Sequence, residues 1–114
     1  MAKLKVRWSE TAVAEFGRML TFYRVRNGND KYGRSIVRMV NESLKLIAKF
    51  PRMYRLVNAD EYQNIRMFHC DYFAIYYKVQ EQDNEIIVEV VSDSRRNPDE
   101  SPYGSPNAST MSRT

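Results

Sequence analysis

Cysteine and histidine are nearly missing from this 114-residue chain: Cys70 and His69 are single copies. One cysteine excludes an internal disulfide, and one of each excludes the usual Cys/His zinc sites, so no metal or cofactor is expected. No apolar run approaches eighteen residues, so no membrane-spanning helix is expected. An apolar leader core is also missing near Met1, which points to a cytoplasmic protein. Wholesale disorder is excluded by what is present: 43% of residues are hydrophobic and 28% charged, ordinary globular usage.

The net charge is +4, unevenly placed. Residues 1–55 hold 13 basic and 4 acidic side chains, whereas 56–97 hold 4 basic and 8 acidic. The basic half offers a surface for phosphate or for an acidic protein, or simply a solvated face.

Period-two alternation of Leu4, Val6 and Trp8 against Lys3, Lys5 and Arg7 predicts a strand. Ser9 then caps a helix of about 10–25, whose apolar stripe is Ala12, Phe16, Met19, Leu20 and Tyr23. A turn at Asn27–Asp30, with Asp30 as N-cap, leads into a second helix, 31–50. That helix buries Ile36, Val37, Val40, Leu44 and Ile47, presents Arg34, Arg38, Lys45 and Lys49 on its other side, and is stopped by Pro51. Beyond a polar loop at 58–64, three strands follow: 65–69, 72–79 and 86–93. In the last, Ile86, Val88 and Val90 alternate against Ile87, Glu89 and Val91. The expected fold is α+β, in the order β-α-α-β-β-β, with a helical hairpin packed on a mainly antiparallel four-stranded sheet. One domain spans 1–97. Residues 98–114 contain three of the four prolines together with Ser and Thr, and read as a flexible tail.

Five pieces, in this order and spacing, resemble the RelE/ParE superfamily of bacterial toxins. They are Val6–Ala12, Leu46–Pro51, Ile65-Arg66, Phe73–Val79 and Val90–Pro98. The resemblance implies the growth-inhibiting toxin of a type II toxin–antitoxin system, of the plasmid-stabilisation kind, neutralised by a cognate antitoxin. Two mechanisms occur in the superfamily. RelE-like members cleave mRNA on the ribosome without a metal, and ParE-like members bind DNA gyrase.

Metal-free RNA cleavage needs a base, an acid and cations for the pentacovalent phosphate. By resemblance, the cation of the second strand falls on Arg66, that of the third on Ala74, that after the last strand on Arg96, and the tyrosine near Tyr103. Ala74 cannot hold a phosphate, and Lys78 on the same face of that strand lies about 13 Å away. His69, as the one imidazole in the chain, would complete a degenerate set of Arg66, His69 and Arg96 as its proton carrier. In a purely structural role Arg66 would instead pair with Asp93 or Glu89. The incomplete set tilts the reading towards ParE-like gyrase binding, with Arg34, Arg38, Lys45, Lys49, Arg95, Arg96 and Tyr103 as contact residues. A RelE-like mRNA endoribonuclease is the alternative; a decayed toxin that only forms complexes is a third. The antitoxin would cover the groove between helices and sheet or extend a sheet edge.

Overall fold

The computed structural model describes residues 3–57 and 64–95. Its elements are β1 (Lys5–Trp8), α1 (Glu10–Asn27), α2 (Lys31–Lys49), β2 (Ile65–Cys70), β3 (Phe73–Gln80) and β4 (Glu85–Asp93), with a 3₁₀ turn at Glu81–Asp83. The sheet order is β1-β4-β3-β2. β2, β3 and β4 form an antiparallel meander, and β1 joins β4 in parallel, so the sheet is mixed. The predicted fold is the observed one. No helix among the described residues is long and apolar enough to cross a membrane.

Ser9 starts α1 as expected: its Oγ accepts the Ala12 amide at 2.9 Å. The same hydroxyl donates to the Glu89 carbonyl at 2.8 Å, tying the helix start to β4. α1 runs two residues beyond the expected end and stops at Gly28, whose φ of 76° is the left-handed conformation glycine adopts at no steric cost. Asp30 does not cap α2 through its side chain. Its carboxylate pairs with Arg34 at 2.8 Å, and the amide of Lys31 is met by Asn29 Oδ1 at 3.0 Å. The neighbouring asparagine thus does the capping, leaving Asp30 for the cation one turn on.

Both helices lie on one face of the sheet. Ala12, Phe16 and Tyr23 from α1 and Ile36, Val40, Leu44 and Ile47 from α2 meet Phe68, Phe73, Ile75, Tyr77, Ile86, Val88 and Val91. Trp8 stacks on Phe16 (ring centroids 5.4 Å apart), which meets Phe73 edge-on. Cys70 is buried in this core, and burial pushes its thiol pKa up, away from reactive thiolate. A smaller cluster of Ile65, Ala74 and Tyr76, with Val57, Met67 and Val90 beside it, occupies the other face.

The ladder between β3 and β4 is broken at one point. Tyr76 pairs with Val90 and Tyr77 with Val88, so Glu89 is an extra residue in β4. The bulge inverts the alternation of β4 halfway along. Ile86 and Val88 face the helices as expected, but beyond the bulge Val91 and Asp93 do so instead of Val90. β1 stops opposite Val88, and α1 supplies the partners β1 cannot reach: Glu15 Oε1 accepts the Val91 amide at 3.0 Å.

Candidate functional site

The bulge delivers Asp93 to a corner where β4 ends, beside the β2–β3 turn and the middle of the helical hairpin. Asp93 is 1% exposed. A buried carboxylate must be matched by donors, and two are present. Tyr23 donates its hydroxyl to Oδ2 at 2.6 Å, and the Arg95 amide donates to Oδ1 at 3.0 Å. Ser94 donates both its amide and its hydroxyl to the Tyr72 carbonyl, each at 2.9 Å. These bonds fix the direction in which the chain leaves the sheet.

They also place the Arg95 guanidinium over three rings, 4.1 Å from the centroid of Tyr72, 4.8 Å from Tyr23 and 5.5 Å from Tyr32. Each such contact at an exposed site contributes about 0.5–1 kcal/mol. Arg95 also donates to the Tyr32 hydroxyl at 3.1 Å, and that hydroxyl donates to Asp71 Oδ2 at 2.7 Å. Burial, then the facing carboxylate, raises the pKa of both Tyr23 and Tyr32 above the ordinary tyrosine value, so both remain donors at neutral pH. Arg95, expected as a contact residue, is therefore a cation held in a fixed place.

Arg66 is elsewhere. It pairs across the ladder with Tyr77, on the helix side of β2. Its Nη1 donates to the Tyr54 carbonyl at 2.5 Å and approaches the Arg52 carbonyl at 3.5 Å. Tyr77 donates to the Pro51 carbonyl at 3.0 Å, so this cross-strand pair pins the loop after α2 from below. Burial pushes the Tyr77 pKa up to about 12. The expected structural partners, Asp93 and Glu89, are not those of Arg66: it braces backbone carbonyls of a loop.

His69 lies opposite Ala74, on the face that carries Ile65 and Met67, and is exposed. Arg66 and His69 thus sit on opposite faces of β2 and are not brought together. Their odd spacing of three residues in one strand already carries that information. Nor does Arg66 meet Arg95. Tyr77, beside one, and Tyr72, beside the other, are five residues apart, roughly 16 Å along the strand. Arg96 and Tyr103, together with the expected tail at 98–114, lie outside the described residues.

The remaining expected contact residues are arranged together. Arg34, Arg38, Lys45 and Lys49 are exposed on α2 and, at about 3.6 residues per turn, form one stripe. Arg34 is paired with Asp30; the other three have no carboxylate partner among the described residues. Sequence reasoning missed a second stripe. Met39, Leu46 and Phe50 are 38%, 45% and 59% exposed and run between the basic stripe and the buried face. Their helical spacing was visible, but a core stripe and an exposed one look alike until the sheet shows which is covered. The tyrosine corner was also missed, because it depends on the bulge.

A family model described as the ParE toxin of the type II toxin–antitoxin system parDE matches residues 6–97. No curated protein matches the chain. Among solved structures, a chain of the chromosomal ParDE TA system from P. aeruginosa superposes with a TM-score of 0.62 at 16% identity, covering 80% of this chain and 96% of that one. A chain of the RelBE2 toxin–antitoxin complex from Mycobacterium tuberculosis gives 0.59 at 12% identity, covering 82% and 93%. At these identities the two structures establish a shared fold.

Proposed function

The chain belongs to the ParE toxin family of type II toxin–antitoxin systems, and from that premise we propose that it poisons by binding: a cytoplasmic inhibitor of DNA gyrase, silenced by a cognate antitoxin. The observation that carries this reading is the separation of Arg66 from His69. Preorganised catalysis needs acid, base and cations around one phosphate. Here one candidate is turned to loop carbonyls on the helix side and the other lies on the opposite face of the sheet. A binding toxin has no such requirement. It needs a rigid surface of defined chemistry, and the two parallel stripes of α2 form one.

The exposed apolar stripe of Met39, Leu46 and Phe50, flanked by Arg38, Lys45 and Lys49, suits an amphipathic segment rich in carboxylates, the chemistry expected of the antitoxin. Two structures of similar fold come from toxin–antitoxin systems, one of them a complex, which supports such a partner here. Gyrase would be met by the basic stripe and by the Arg95-Arg96 exit from the sheet.

Purified full-length protein at micromolar concentration should block gyrase supercoiling, and the pair Arg38→Glu and Lys45→Glu should raise the required concentration at least tenfold while leaving the helical circular dichroism intact. An unaffected supercoiling reaction, together with codon-positioned cuts in a labelled mRNA on translating ribosomes, would replace this reading with the RelE-like one. Silence in both assays would leave a partner that only forms complexes.

A further inference from the structure

At the end of the sheet remote from Arg95, three elements that are distant in sequence converge. Arg52 comes from the loop after α2, Asn64 and Arg66 from the start of β2, and Lys78 and Gln80 from the end of β3, with Gln82 in the 3₁₀ turn. Together with Val79 and Glu81 they line a cavity of about 510 Å³.

Among the described residues the lining holds three cations and one carboxylate. Glu81 pairs with Arg52, and this neighbour holds the Glu81 carboxyl below the usual range. Arg66 is steadied by neutral carbonyls, which leave its charge uncompensated. Lys78 is half-buried and has no ion-pair partner among the described residues. The cavity therefore concentrates an excess of two positive charges. Asn64, Gln80 and Gln82 add neutral N–H donors.

This chemistry selects a class of ligand. Among the described residues the lining contains no aromatic ring, so a nucleobase finds nothing there to stack on. Val79 is its one apolar side chain among the described residues, which gives an acidic peptide little to anchor on. A guanidinium fork held by carbonyls on the helix side of the sheet, an ammonium from the opposite face at the same sheet end and several amides fit an oxyanion whose charge is spread over several oxygens. We propose that this cavity is a phosphate-binding site, taking the phosphate of a small molecule or of a nucleic-acid backbone. It shares no residue with the tyrosine corner or the stripes of α2.

The test is an amide-resolved NMR titration of the full chain at low salt, run separately with inorganic pyrophosphate and with a short single-stranded oligonucleotide. Saturable shifts at Lys78, Val79, Gln80 and Gln82 are expected. Lys78→Gln should weaken binding about fivefold or more, and Glu81→Gln, which unpairs Arg52, should tighten it about threefold. Oligonucleotide binding at least tenfold tighter than pyrophosphate, and steeply salt-dependent, assigns the nucleic-acid backbone; equal affinity assigns a free phosphate compound. Failure of both ligands to saturate overturns the site. So does binding that survives Lys78→Gln unchanged, or a glutamate-rich peptide that shifts the same amides as strongly. Gyrase and antitoxin take no part in the assay, so its outcome is separate from that of the supercoiling test.

Discussion

Arg95 and Lys78 stand at opposite ends of the meander and answer the same question, what to do with a cation at a strand end, in opposite ways. Arg95 lies over three tyrosine rings, its backbone amide is bonded to buried Asp93, and its guanidinium reaches a tyrosine hydroxyl. Lys78 lines a polar cavity without a carboxylate of its own. A cation packed on three rings and tied through its own backbone to a buried carboxylate helps to hold the fold together; one with no such contacts is available to a ligand. The comparison therefore predicts that substitutions at the corner cost stability and that substitutions at the cavity cost binding.

The sharpest way to break it is Asp93→Ala. This removes the acceptor for the Tyr23 hydroxyl and the Arg95 amide in a site that is 1% exposed. Stranding buried donors in place of a satisfied charge costs about 3 kcal/mol. For a domain of this size that is a fall in Tm of roughly 12–24 °C, read by thermal unfolding. Tyr23→Phe is the gentler version: it leaves Asp93 with one donor fewer and should cost about 1–2 kcal/mol in urea unfolding. A Tyr23→Phe chain as stable as the parent would mean the corner is not the lock described.

Arg66 lies between the extremes, since it both lines the cavity and braces a loop. Arg66→Ala should cost about 1 kcal/mol through the lost bonds to the Tyr54 and Arg52 carbonyls, with hydrogen exchange of residues 51–57 rising most. A loss at the cavity alone, with that loop unchanged, would move Arg66 wholly to the ligand side of the comparison.

Alkaline pH acts on tyrosines at both ends. Tyr23 and Tyr32 at the corner and Tyr77 beside Arg66 all have pKa values raised first by burial, that of Tyr77 to about 12. An unfolded tyrosine ionises near 10, so between that pH and the raised value the unfolded chain has lost protons that the native one keeps. Stability from these groups is complete below about pH 10 and is lost as pH climbs towards 12 and beyond. Urea midpoints across that window should fall, and fall less steeply in Tyr77→Phe.

Most of the fold was legible in the sequence because each stripe matched its period: Ala12, Phe16 and Tyr23 at helical spacing, Phe73, Ile75 and Tyr77 in alternation, all within one core. The exception in the sheet is β4, where a single extra residue turned Val91 and Asp93 inward. A bulge of this kind leaves no mark in composition or periodicity beyond the hydrophobic doublets at Ile86-Ile87 and Val90-Val91, which fit either phase. The candidate site was less legible for the same reason. Arg95 was singled out, but its tyrosine partners come from α1, α2 and the β2–β3 turn, and only the closed fold brings them within reach. The alternation of β3 puts Lys78 on the face of Ala74; its place in a cavity with Arg66 depends on where Arg52 and the 3₁₀ turn fall.

The smallest expected effect on stability is at Lys78, and it is the one that most sharpens the comparison. The ammonium makes no hydrogen bond or ion pair among the described residues, and its strand neighbours across the sheet are Ile65 and Ile87. Glutamine keeps most of the aliphatic stem that covers those neighbours and removes only the charge. Removing one cation from a lining that also holds Arg52 and Arg66 relieves repulsion, which offsets any lost solvation. Lys78→Gln should therefore leave the urea midpoint within about 0.5 kcal/mol of the parent, or slightly above it. A loss of the size expected for Tyr23→Phe would show that the charge of Lys78 is already used by the fold, and the distinction between the two ends would collapse.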